Sequence, residues 1–459
     1  MERYFLILVV FFSLAFQNSK SNEIDSAYIY NTYSKIARQI IQKAMADSSA
    51  WEKLAYVCDT YGPRLTGSKS LNDALFWAEK EMKKDGFENV HLEEVMVPNW
   101  KRGEEYCEMV YPRNKVFKIS SLGHSVGTNG KFIEGPVLVV KDFDELAKRS
   151  KEVKGKIVVY NAPWVSYGHN VQYRFNGASE AAKYGAIASL VRSVSPIGFD
   201  MLHTGVMGYQ DSIPKIPTAS ITLEDAELLQ RLQNRGITPK LKLKMTCETM
   251  PDTISYNLMG EIKGSEKPQE IVALGGHSDS WDYGEGAQDD ASGFISTWQA
   301  LNIIHSLGLK PRRTMRNVMW VNEESGTRGG IAYAEKHKSE PHFLVFEFDS
   351  GVFEPLGIGF TGDEKYLTIL KGITPLIKEI APDFSVKKGG GGVDIGPMMK
   401  LGISGMALST KGNDEYFWYH HSPADTPDKV NPENLNKCIA VIAIATYIYA
   451  DLPDFISTK

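Results

Sequence analysis

Residues 271–293 read IVALGGHSDSWDYGEGAQDDASG. The first six are apolar and have the make-up of a buried strand. One histidine, four aspartates and a glutamate follow directly. An unpaired charge inside a sheet costs several kcal/mol or neutralises itself, so carboxylates placed there need a compensating charge. A metal ion is one such charge, and the rest of the chain bears on whether one is needed.

The texture on either side of this stretch places it in the chain. NTYSKIARQIIQKAM carries apolar residues at helical spacing, with Ile36, Ile40, Ile41 and Ala44 on one face. Asp47, Ser48 and Ser49 offer a cap for a second helix that should stop before Gly62-Pro63, and a third fits Leu71 to Asp85. From about Val116 the pattern changes to short β-branched runs, GPVLVV, GKIVVYN, IPTASIT and LKLKM, with a helix-like ASEAAKYGAIASLVR among them. Beyond Thr253, strands again alternate with longer helices, from Ala291 to Leu307 and near Gly329 to Lys338. Such alternation predicts an α/β fold whose mixed central sheet carries helices on both faces. A β-rich module interrupts it.

At the N-terminus, an apolar run from Phe5 to Phe16 follows Arg3 and leads into small and polar residues. It is shorter than the about 20 residues of a membrane span and has the layout of a secretory signal. The expectation is an exported protein with no membrane span once the signal is removed. Net charge is −5 over 459 residues, which gives no reason to expect nucleic acid as a partner. The four cysteines lack the close pairing of a thiolate metal site.

In sheets of this kind, ligands bind where loops leave the carboxyl ends of the strands. His277 and Asp279 end one strand, Asn322-Glu323-Glu324 another and Asp349 a third, and His420, His421 and Asp425 precede the last helix. Residues i and i+2 of an extended chain face the same side, so Asp279 is placed to orient the imidazole of His277. Asp289 and Asp290 follow in a loop that opens a helix, and a carboxylate from it has two oxygens with which to bridge two cations. Adjacent Glu323 and Glu324 repel unless their roles separate, one binding metal and the other taking a proton from water. Taken singly, these are a capped helix and a solvated acidic face. Their joint occurrence in order at strand ends points to a site.

The ordered set GGHSDS, GAQDDASG, NEESG, FDSG and YHHSPADT resembles the co-catalytic di-zinc exopeptidases, the family of bacterial leucyl aminopeptidase and glutamate carboxypeptidase II. The resemblance implies two Zn2+ per chain, one held by His277 and Asp349, the other by Glu324 and His421, with Asp289 bridging. It makes Glu323 the general base beside zinc-activated water and Asp279 the group orienting His277. The choice of His421 over His420 rests on the family pattern, the alternative for His420 being to line the pocket. Implied too are a zinc exopeptidase fold over 46–115 and 251–459 and an inserted protease-associated domain over 116–250. A signal over 1–21, a pro-segment over 22–45, a homodimer and a secreted or lysosomal location complete the expectation. The expected activity is carboxypeptidase or dipeptidase hydrolysis of short unblocked peptides. Alternatives are an aminopeptidase on longer peptides and a non-catalytic receptor-like protein on the same fold. Finally, the glycine-rich GGGGVDIGPM at 389–398 offers consecutive N–H groups that could cradle a peptide's carboxylate.

Overall fold

The computed structural model describes residues 26–453. The expected signal at 1–21 and the first residues of the expected pro-segment lie outside them. An eight-stranded mixed sheet forms the main body. Its strands run in the spatial order Glu88–Lys101, Glu248–Ile262, Arg313–Trp320, Lys267–His277, His342–Glu347, Gly405–Thr410, Pro355–Thr361 and Ser385–Lys388. The His277 strand lies at the centre, parallel to both neighbours.

Alternation explains why both faces of this sheet are covered. Val272 and Leu274 point into a large apolar cluster beneath the helices Ser292–Ser306 and Pro432–Asp451, whereas Ile271 and Ala273 join Tyr333, Ala334 and Met398 on the opposite face. The helix Ser26–Met45 also belongs to the larger cluster through Ile29, Tyr33, Ala37, Ile40 and Ala44. It crosses the helix Glu364–Ile377 so closely at Gly372 that a Cβ there would come within 3.0 Å of Ile29.

A second eight-stranded sheet draws its strands from Glu105–Tyr111 through Lys240–Met245. Four of them, Ile133–Val140, Ile157–Tyr160, Ala188–Arg192 and Thr218–Ile221, are parallel, and the helices Tyr167–Ala182 and Leu223–Asn234 cover opposite faces. The helix-like stretch 178–192 divides here: its helix ends by Ala182, Gly185 turns at φ 85°, and Ala188–Arg192 becomes a buried strand. Alanine-rich composition hid that break, since short apolar runs carry no period of their own. The two bodies interlock at Trp281, which leaves the acidic loop to join the second sheet's core. Gly123 leaves it room, because a Cβ there would lie 2.0 Å from the indole. Cys58, Cys107, Cys247 and Cys438 are all buried and unpaired.

Candidate active site

The site lies at the carboxyl ends of the central strands. His277 is the last residue of its strand and 1% exposed. Its main-chain N–H donates to the carboxylate of Asp290 at 3.1 Å, and the other oxygen of Asp290 accepts from Gly293 N at 3.0 Å at the start of the next helix. Asp290 is thus the capping member of the Asp-Asp pair. Asp289 is turned the other way, its N–H and that of Gln288 held by the Asp425 carboxylate at 3.1 and 2.6 Å.

Asp289 sits between two groups of side chains. Its Oδ1 is 3.2 Å from His277 Nε2, which in turn is 3.8 Å from Asp349 Oδ1. Its Oδ2 is 3.2 Å from His421 Nε2 and 3.5 Å from His420 Nε2, and His421 Nε2 is 2.9 Å from Glu324 Oε2. Two nitrogen or oxygen ligands on one tetrahedral zinc, at about 2.0–2.2 Å from it, lie about 3.4 Å apart. Those separations suit a shared ion, and His277 Nε2, Asp289 Oδ2 and Glu324 Oε1 are buried with no hydrogen-bond partner. The donors fit a metal on either side of Asp289. His420 stacks on His421 with ring centroids 3.5 Å apart, so its imidazole remains close to the second group.

Glu323 stands beside the first group, its Oε2 3.9 Å from His277 Nε2. The structure differs from expectation in how Asp279 supports this arrangement. His277 Nδ1 bonds the main-chain oxygen of Asp279 at 2.9 Å, and the Asp279 carboxylate, 3.8 Å from that nitrogen, accepts from Glu323 N at 3.1 Å and from Thr66 Oγ1 at 2.5 Å. The chain leaving the strand brings the carbonyl, rather than the side chain, to within bonding distance of Nδ1. Asp279 therefore touches both His277 and the Glu323 backbone.

Several supporting residues carried no signal in the sequence. The guanidinium of Arg64, fully buried, donates to the carbonyl oxygens of Ser278, Gly62, Glu285 and Gly286 and so holds both ends of the acidic loop. An arginine after Gly-Pro reads as a solvated turn, and only tertiary folding places it among carbonyls. The glycine-rich stretch corrects another expectation. The N–H groups of Val393, Asp394 and Ile395 do cradle a carboxylate, but it is the chain's own Glu347, at 2.9–3.0 Å. Gly392 must be glycine for this, since a Cβ would fall 2.1 Å from that carboxyl. Those three donors are not available to a peptide terminus.

Acidic groups outnumber the imidazoles among these side chains. Burial opposes the charged form of His277, yet Asp289, Asp349 and Glu323 outweigh it and hold the imidazole well above its usual range. Burial likewise opposes ionisation of Asp289, but its bonds to His277 and His421 keep it well below the usual carboxylate range. The other acids go the opposite way. Burial, reinforced by Asp289, lifts Glu324 to about 7; burial, offset in part by His277, lifts Asp349 to about 6. Burial also raises Glu347 to about 7 and Asp425 to about 8.

A prediction follows from that sign. These folded carboxyls keep protons that unfolded ones release near about pH 4, so the native state binds more protons through the window between. The stability they contribute is complete below the unfolded values and lost as pH rises through the folded ones. Chelated protein should show a falling thermal midpoint from about pH 5 to about pH 8, because the unfolded chain binds fewer protons there. Metal should restore stability most at the alkaline end, where ligands are already deprotonated. A midpoint that climbs over that window in the chelated protein would contradict this account.

An open α/β sheet with histidines and carboxylates gathered at its carboxyl edge is the arrangement of a metallopeptidase. The sequence profile of Peptidase family M28 matches residues 257–446. Carboxypeptidase Q of Homo sapiens is 44% identical over 426 residues, covering 92% of this chain and 90% of that protein. Its Xenopus laevis counterpart is 43% identical, covering 93% and 92%. Among solved structures, a peptidase M28 precursor from Shewanella amazonensis superimposes with a TM-score of 0.88 at 31% identity, covering 92% of this chain and 97% of its own. The chain belongs to peptidase family M28, alongside the carboxypeptidase Q proteins. Among the described residues, no helix is long and apolar enough to cross a membrane.

Proposed function

We propose that the protein is a secreted di-zinc exopeptidase that hydrolyses short unblocked peptides, chiefly dipeptides. The observation that carries this reading is the division of Asp289, one oxygen toward His277 and Asp349, the other toward His421 and Glu324. His277 and Asp349 would hold one ion, Glu324 and His421 the other, and Asp289 both. Zinc bound there supplies Lewis acidity toward the scissile carbonyl and toward water.

The chain's own groups do the rest. Glu323 takes the proton of the attacking water on its carboxylate and delivers it to the departing amine. Asp279, through its bond to Glu323 N, fixes the main chain from which that carboxylate reaches to 3.9 Å from His277 Nε2. Trp281 and Tyr283 line the pocket beside Asp289, Glu324 and His421. Kinship to proteins named carboxypeptidase Q supports the carboxypeptidase direction, and the leader-like residues 5–16 support export. A homodimer belongs to the same reading, supported by family likeness alone.

The test is hydrolysis of a free dipeptide, its N-acetylated copy and a longer peptide by purified protein, with zinc counted before and after chelation. Two ions per chain, activity lost on chelation and regained with zinc, and preference for the free dipeptide are expected. Chelation-resistant hydrolysis would refute the metal reading, and equal cleavage of the blocked peptide would refute the specificity.

A further inference from the structure

The two imidazoles flanking Asp289 are supported in different ways. His277 Nδ1 bonds a carbonyl only two residues further along the chain, just past the end of its strand. The nitrogen of His421 that faces away from Asp289 finds its carbonyl on the other body: Nδ1 is 3.2 Å from the main-chain oxygen of Thr204. The grip is reciprocal, because Thr204 N donates to His421 O at 2.9 Å. One residue earlier the pattern repeats, with His203 Nδ1 donating to His420 O at 2.8 Å. Two consecutive residues that follow the second sheet's strand Ala188–Arg192 thus hold two consecutive residues of the candidate metal centre. His421 sits in the left-handed region at φ 59°, a conformation that non-glycine residues keep only where surroundings over-determine it.

Thr204 is itself held. Arg174, on the helix Tyr167–Ala182 and 4% exposed, donates through Nη1 to Thr204 O at 3.1 Å and through Nη2 to Tyr167 Oη at 2.9 Å. Its guanidinium lies flat against Gly205, where a Cβ would fall 2.3 Å from Cζ. On the hydroxyl side, Arg102 Nη2 donates to Thr204 Oγ1 at 3.2 Å and, together with Nε, to the carboxylate of Asp282 in the acidic loop.

His421 Nδ1 lies 3.3 Å from a donor, Arg174 Nη1, and 3.2 Å from an acceptor, Thr204 O, so two tautomers are to be weighed. If Nδ1 accepted from arginine, Nε2 would carry the hydrogen and be closed to a metal. If Nδ1 carries the hydrogen, it and Nη1 are neighbouring donors to the two lone pairs of one carbonyl, and Nε2 is open toward Asp289 and Glu324. Only the second arrangement uses Thr204 O fully.

Resting on the di-zinc reading, we infer that the inserted body completes the second half of the metal centre, with Arg174 as a positioning residue acting through the Thr204 carbonyl on His421. Partners of this kind fix a ligating histidine's tautomer and ring direction, and their loss costs about 10–100-fold in metal affinity. Ordinary contact between two bodies would instead affect both ions alike, or only folding.

Arg174→Ala and Tyr167→Phe in the full chain separate these accounts, with zinc affinity of each site read by chelator competition and the thermal midpoint of each chelated protein measured alongside. Wild-type protein comes first: fewer than two ions there would defeat the di-zinc reading, whatever the variants do. With two ions in the wild type, Arg174→Ala should weaken one by about 10–100-fold and leave the other unchanged. Tyr167→Phe, which loosens the guanidinium without opening a cavity, should weaken the same ion by several-fold and decides the matter if the alanine variant does not fold. Unchanged affinity for both ions would overturn the inference, as would parallel loss of both with a lowered chelated midpoint.

Discussion

Glu323→Gln should retain both metal ions and lower kcat by about 10²–10⁴-fold, the range that general acid–base groups contribute. Glutamine keeps the length of the side chain and its backbone bond to Asp279, so the loop that carries Glu324 should not move. What it removes is the ability to take and return a proton. The substitution also relieves strain: burial, together with repulsion from Asp349 and Glu324, pushes the Glu323 carboxyl well above its usual range even though His277 draws it down. The variant is therefore expected to be no less stable than the parent, which keeps the loss of turnover from being read as unfolding. Metal content, thermal midpoint and steady-state rates on a free dipeptide check it. Turnover within a few-fold of the parent would remove Glu323 from the role of base.

Asp289→Asn is expected to have the opposite profile, with metal affinity falling by more than about 100-fold, beyond the range for outer-shell partners. An amide offers one oxygen where the carboxylate offers two, and its NH2 would face either His277 or His421. Neither side then keeps its full donor set. The fold should survive, because Asp425 holds the Gln288 and Asp289 main chain and asks nothing of the Asp289 side chain. Mass-spectrometric metal counting on the folded variant, with circular dichroism as control, decides the matter. Two ions bound at parental affinity would show that Asp289 is not shared between them.

Legibility of the chain followed the range of the interactions involved. Strand ends near His277, Glu323 and Asp349 can be picked out because local apolar runs define them and the acids follow within two or three residues. Asp425 was visible beside the two histidines, but its work on the Asp289 backbone was not, since 136 positions separate the two. Arg64, Thr66, Arg174 and Thr204 were silent for the same reason. Each meets its partner only after both sheets are built, and a single arginine or threonine has no period. The second body reads as β-rich because its eight short strands outnumber its helices. Consecutive glycines at 389–392 suggest a cradle for an outside carboxylate, yet Glu347, at the end of the strand His342–Glu347, occupies the donors that follow them.

The helix Ser26–Met45 bears on how such a protein could mature. Tyr33 packs edge-on against Tyr447, and its hydroxyl reaches Asp451 at 3.1 Å on the C-terminal helix. A proteolytic cut after Met45 would not by itself release this segment. Its apolar face would stay seated against residues 364–377 and 432–451, and the product would behave as a nicked molecule whose two pieces co-purify until denatured. Discarding the segment would instead bare a strip of core and call for a second surface to cover it.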